Sequence, residues 1–159
     1  MHTTDFDLSA LHPKQVHIFK LWQIYLDNVD PLLKATHSPT LQARVIDAAS
    51  DVGSIPPTLE ALMFSIYCVS IASLVEEEKV QALFGATRKD LLASYQFGCQ
   101  QALLNCGLLR TDDRECLTAY YLYLVSPSFP LPGACPLNTY RSHLGLPLQT
   151  LVICPRCLR

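Results

Sequence analysis

One stretch constrains this chain more than any other. From Leu59 to Val75 it reads LEALMFSIYCVSIASLV, a run in which Glu60 is the single charge and Ser65, Ser70 and Ser73 interrupt the apolar side chains. A helix apolar on nearly every side has no solvent face, so it belongs in the centre of a bundle or in a bilayer. The bilayer option fails on length and flanks. A span needs about 20 predominantly apolar residues, and this run ends at Glu76-Glu77-Glu78 with no basic flank to orient it. The sequence therefore predicts a central core helix wrapped by other helices, and no membrane segment.

Composition sharpens that reading. Only 16% of the residues are charged and 50% are apolar, against about 25% charged in ordinary soluble domains. A chain near 150 residues buries only about 68–70% of its unfolded surface, so a low charge fraction leaves apolar surface outside. That surface is expected to meet protein partners or a second copy through exposed apolar helix faces. The net charge is −2. Residues 1–125 hold all 14 acidic and 9 basic side chains, whereas residues 126–159 hold three Arg, no acid and six of the eleven prolines. No basic stripe is present, so independent DNA or RNA binding is not expected.

The N-terminus, MHTTDFDLSALHP, lacks the basic and apolar regions of a secretory signal. Seven cysteines is an odd number, and Cys68, Cys99, Cys106 and Cys116 fall inside helical patterns. They read as free thiols acting as small hydrophobes in a reduced, intracellular setting.

Along the chain, residues 1–10 read as a flexible lead-in, and His12-Pro13 opens a helix carrying Val16, Phe19, Leu21, Trp22, Ile24, Tyr25 and Leu26 at helical spacing. Pro31 suggests a restart. Ser38-Pro39 gives a second start with Ser38 as cap, and Leu41, Val45 and Ile46 form the apolar face up to Ser50. Ile55-Pro56-Pro57-Thr58 launches the central helix. A short helix from Lys79 ends at Gly85; Thr87 caps the next, Arg88 to Asn105, which stops at Gly107. Thr111 is expected to cap a last helix running through Cys116, Leu117, Tyr120, Tyr121, Tyr123 and Leu124. No segment alternates long enough to force a strand. The expected fold is all-α, an irregular bundle of about six helices, with a Pro-rich, largely irregular C-terminal tail over residues 126–159. Trp22, Leu62, Phe64, Ile66 and Leu103 are expected in the core.

Catalytic templates fail in turn. There is no glycine-rich phosphate loop, no Gly-x-Ser-x-Gly elbow and no His-Glu-x-x-His pair. His12, His17 and His37 read as packed or surface residues, and Glu76-Glu77-Glu78 as the acidic start of a helix. Cys154-Pro155-Arg156-Cys157, with Cys135 and His143 upstream, has ligand types that suit zinc. The spacing matches no finger or ribbon, and one Cys-x-x-Cys is a weak signal. No catalytic, cofactor-binding or metal residue is assigned, and the chain is not expected to be an enzyme.

The order of residues adds a resemblance. His12-Pro13, then LWQIYLDNVDPLLK over 21–34, His37-Ser38-Pro39-Thr40, LEALMFSIY over 59–67, Ala82-Leu83-Phe84-Gly85, Arg88 to Tyr95 and Leu103 to Leu124 run collinearly. They resemble the fungal-specific transcription factor domain, the middle homology region of fungal six-cysteine zinc-cluster regulators, in its N-terminal part only. The resemblance covers residues 11–125, about seven-tenths of the chain. It implies a helical regulatory domain in a nuclear transcription factor, often one controlling a secondary-metabolite gene cluster, whose DNA contacts come from a separate zinc cluster. No such cluster stands here, since the first cysteine is Cys68. The family continues with further helices where this chain turns into the Pro-rich tail, a break that a shifted reading frame or a truncated paralogue would both produce. The expectation is a truncated or partial transcription regulator lacking its DNA-reading module; the alternative is a helical protein-interaction module without a transcriptional role.

Overall fold

A computed structural model of the protein describes residues 6–126. Those residues are all-α, with no strand among them. The helices are α1 (Gln15–Ile24), α2 (Asp30–Leu33), α3 (Ser38–Ser50), α4 (Pro57–Ser73), α5 (Glu77–Phe84), α6 (Arg88–Asn105) and α7 (Arg114–Val125). One wide π turn, Tyr25–Val29, joins α1 to α2, so the described residues form six helical bodies. The expectations for the tail fall outside the described residues. Of the lead-in, residues 6–10 are described: Leu8 is buried, and Phe6 exchanges two hydrogen bonds with the Asn105 side chain at 3.2 and 2.9 Å.

The apolar run forms α4, and it is the centre of the fold. Every residue from Ala61 to Ile71 is buried. Helices α6 and α7 pack along it, and α1 with the π turn closes another side. Fully burying each large apolar side chain here contributes roughly 1.5–3 kcal/mol. The two buried serines keep their hydroxyls bonded. Ser65 donates to the carbonyl of Leu62 at 2.8 Å within α4, and Ser70 donates across to the carbonyl of Leu21 in α1 at 2.9 Å.

That second bond lies one turn before the π turn, and Pro31 lies just after it. Proline has no N–H to give, and its ring collides with the carbonyl four residues back, here Asp27. Widening the turn over Tyr25–Val29 relieves both problems, so the chain continues through Asp30 instead of restarting at Pro31. It then leaves the helix at Lys34, a non-glycine residue with φ of 47°.

Several helix starts differ from the sequence reading. Helix α1 begins at Gln15, because His12 precedes a proline and is held in extended backbone. Ser38 is the first residue of α3 and not its cap; its hydroxyl is buried without a partner, while His37 Nδ1 and Thr40 Oγ1 meet at 2.7 Å. Helix α5 starts at Glu77, two residues before Lys79, with Glu77 and Glu78 in its first turn. Helix α7 is capped by Asp113, whose carboxylate accepts from the N–H groups of Glu115 and Cys116. Thr111 instead accepts from the N–H of Asp113. Thr87 caps α6 as expected, accepting from the N–H of Asp90 at 3.1 Å. The stops at Gly85 and Gly107, with φ of 71° and 67°, also stand where the sequence placed them.

The five expected core residues are all buried: Trp22, Leu62, Phe64, Ile66 and Leu103 are each at most 6% exposed. The faces of the outer helices are less faithful to pattern. Val16, Phe19 and Ile46 face outward, and on α7 the buried residues are Cys116, Ala119, Leu122 and Tyr123, leaving Leu117, Tyr121 and Leu124 exposed.

Helix α6 comes close to α4 at Gly98, where a Cβ would lie 2.5 Å from Cε1 of the buried Phe64 ring. Gly98→Ala is expected to destabilise the protein by about 1–3 kcal/mol through overpacking, and Phe64→Leu in the same chain should recover part of that loss in a double-mutant cycle. Leu62→Ala, which empties the middle of α4, should cost about 2–5 kcal/mol. Urea or thermal unfolding followed by circular dichroism measures all three; an unchanged melting temperature in Leu62→Ala would displace α4 from the centre of the fold.

Candidate functional site

Three groupings of polar side chains among the described residues lie around α4. At its first turn, the His12 side chain is 1% exposed; its Nε2 lies 3.3 Å from Glu60 Oε1 and its Nδ1 3.3 Å from Tyr67 Oη. The imidazole lies against the Phe64 ring at 4.5 Å. Burial pushes the Tyr67 hydroxyl well above its ordinary value, with Tyr95 and Glu60 adding to the shift. A His, a carboxylate and a phenol together have the chemistry of an acid–base set. Here the ring is packed between aromatic side chains, and the arrangement ties the start of the chain to α4.

The second place joins helices far apart in sequence. Arg44 on α3 makes a bidentate pair with Glu115 on α7, Nη2 to Oε2 at 3.1 Å and Nη1 to Oε1. Thr58 at the start of α4 donates to Glu115 Oε2 at 3.2 Å. The Glu115 carboxylate raises the Arg44 pKa, chiefly through that hydrogen bonding. Beside it a shallow groove of about 230 Å³ is lined by Arg44, Asp47, Asp51, Ser54, Ile55 and Leu59, among others. The Asp51 side chain serves its own turn, accepting from Gly53 N and Ser54 Oγ. Arg44, Asp51 and Ser54 in the groove are thus engaged within the protein.

At the other end of α4, Arg88 donates from Nε and Nη2 to the carbonyls of Ile71 and Ala72 at 3.3 and 2.9 Å. A cation at a helix C-terminus satisfies the last carbonyls and the negative end of the dipole together. Glu77 reaches the same junction, accepting from Arg88 N at 2.8 Å. His17 lies edge-on to Phe84 at 5.4 Å, and burial with Lys20 and Lys14 lowers its pKa.

Four thiols among the described residues, Cys68, Cys99, Cys106 and Cys116, are free. Burial pushes all four upward, Cys106 to about 12. A thiol held protonated is a poor nucleophile and metal ligand. Among the described residues no group of three or more His, Cys, Asp or Glu is placed to hold a metal ion. No helix among them is long and apolar enough to cross a membrane. Cys135, His143, Cys154 and Cys157 lie outside the described residues.

What the described surface does offer is apolar. On α7, Leu117, Tyr121, Leu124 and Val125 are 43–54% exposed, at the i, i+4, i+7 and i+8 spacing of one helix face. Leu32, Leu109 and Val75 are exposed further still. The sequence carries the last helix through Leu117, Tyr121 and Leu124 without separating an inner side from an outer one, so this face became visible only with the packing. The Arg44–Glu115 and His12–Glu60 ties were also missed, since partners 71 and 48 residues apart leave no local signal.

Comparison with known proteins supplies what the geometry does not. No family model matches the chain, and no solved structure matches it. It is 68% identical over 120 residues to the transcriptional regulator AacuB of Aspergillus aculeatus, covering 76% of this chain and 16% of that protein. It is 40% identical over 125 residues to the aurofusarin cluster transcription factor aurR2 of Gibberella zeae, covering 79% and 18%. It is 33% identical over 121 residues to the C6 finger domain transcription factor adaR of Aspergillus niger, covering 75% and 15%. The chain thus spans less than a fifth of the length of these relatives. About three-quarters of it is homologous to one stretch of fungal transcription factors, among them regulators of secondary-metabolite gene clusters.

Proposed function

We propose that this chain is a partial fungal transcription regulator, the N-terminal part of a fungal-specific transcription factor domain, acting in the control of a secondary-metabolite gene cluster. The observation that carries this reading is the collinear identity of three-quarters of the chain with several such regulators. The stretch they share is helical and offers apolar faces instead of a catalytic pocket. In this reading it is an interaction element in the nucleus and not an enzyme, and it uses no cofactor of its own. It meets protein partners or a second copy through exposed apolar surface such as that of α7. Its residues hold no six-cysteine zinc cluster and no basic stripe, so they do not read DNA themselves.

Tethering tests the regulatory role. Fused to an unrelated DNA-binding domain upstream of a reporter, the chain should change reporter output, and a fluorescent fusion should accumulate in the nucleus. An unchanged reporter with cytoplasmic fluorescence would overturn the reading. Alone, the purified chain should show no sequence-selective duplex binding at physiological salt; tight, selective binding by fluorescence anisotropy would contradict this. A chain ending at Ser126 should keep the helicity and melting temperature of the full chain, and the full chain should contain no stoichiometric zinc. A zinc ion lost on changing Cys154 and Cys157 would assign the tail a structural role.

A further inference from the structure

Helix α6 ends in a specific way. Gly107 takes a positive φ, its N–H bonds to the carbonyl of Leu104, and the N–H of Leu108 bonds back to the carbonyl of Leu103. This double closure fixes Cys106 as the last residue before the reversal. Seven residues on, the Asp113 cap fixes the first turn of α7, with Cys116 N held to the Asp113 carboxylate at 3.1 Å. The two devices are independent, and together they bring Cys106 Sγ and Cys116 Sγ to 2.6 Å. A disulfide sets its sulfurs about 2.05 Å apart, and these two sulfurs are already in direct contact. Of the other two described thiols, Cys99 lies in the same neighbourhood, with Cys106 and Cys116 among the groups that raise its pKa, but its Sγ meets the carbonyl of Ala61 at 3.9 Å; Cys68 is fully buried on α4.

Accessibility assigns different parts to the two sulfurs. Cys106 is partly exposed, whereas Cys116 is 0% exposed. Of the two, only Cys106 has surface in contact with water, which assigns it the first encounter with an oxidant. We infer that Cys106 and Cys116 form a dithiol–disulfide couple, closed by small disulfides of the glutathione class, that staples the end of α6 to the first turn of α7. In the first step the Cys106 thiol loses its proton and attacks one sulfur of oxidised glutathione, releasing one glutathione thiolate. In the second, the Cys116 thiol loses its proton and attacks the Cys106 sulfur of the mixed disulfide, releasing the second glutathione. Two protein thiols are oxidised and one glutathione disulfide is reduced to two thiols, which take up the two protons.

Burial, the partner thiol and Asp113 all hold Cys106 protonated at neutral pH. The thiolate attacks, so closure is slow near pH 7 and accelerates about tenfold per pH unit while the pH stays well below the Cys106 pKa.

The test uses the full chain with Cys135, Cys154 and Cys157 changed to Ser. It is incubated with oxidised glutathione at pH 7, 8 and 9, alkylated, cut with trypsin after Arg110 and Arg114, and read by mass spectrometry. The expected product is a link between the peptide holding Cys106 and the peptide holding Cys116, forming about tenfold faster per pH unit and reversed by dithiothreitol. It should be accompanied by a rise of several degrees in melting temperature. Cys106→Ser should abolish the link and Cys99→Ser should leave it; Cys106 is partly exposed, so circular dichroism of Cys106→Ser is expected to match the parent chain. A link that persists in Cys106→Ser, glutathione adducts without a link, or no link after prolonged incubation at pH 9 would each overturn the assignment.

Discussion

Burial of α4 on every side is the constraint on which the rest of the structure depends. A helix with no solvent face cannot be stable alone, because water would meet apolar surface at each turn. It forces α1, α6 and α7 to pack around it, and it fixes where each may approach. Close approach has visible costs and devices. Gly98 lets α6 lie against Phe64, and the Ser70 hydroxyl fastens α4 to the backbone of α1. Serine suits this interior because its one donor finds a carbonyl, leaving no buried polar atom unpaired at that point.

Both ends of α4 are then secured by side chains from other elements. His12 and the Glu115–Arg44 pair hold its beginning, and Arg88 holds its end. These contacts lie at the margin of the core, and the exposed ones are worth little individually. Arg44 and Glu115 both keep substantial contact with water, which places their pair near the roughly 0–1 kcal/mol of a surface ion pair. Their value is geometric. They tie α3 and α7 to the first turn of α4.

The same packing determines what remains for function. Once α4 and α6 have taken the inner face of α7, its outer face keeps Leu117, Tyr121, Leu124 and Val125 in water. The low charge fraction of the sequence and the apolar α7 face are thus two views of one property.

The sequence by itself determined the helical class, the central helix and most of the punctuation. Leu59–Val75 had no other home, and Thr87, Gly85 and Gly107 carry their chemistry locally, in a hydroxyl or a missing Cβ. It could not determine helix phase where a segment is apolar on several sides. On α7 the spacing suits Leu117, Tyr121 and Leu124 as well as Cys116, Ala119 and Leu122, and only close packing against α4 selects the smaller set. The sequence pointed to Thr111 as the cap of α7 where Asp113 serves, since both have the right oxygen and only the path of the chain after Gly107 decides. The ties from His12 to Glu60 and from Arg44 to Glu115, and the approach of Cys106 to Cys116, belong to the tertiary structure. They pair residues whose meeting depends on how whole helices are placed, and that placement is fixed by the burial of α4.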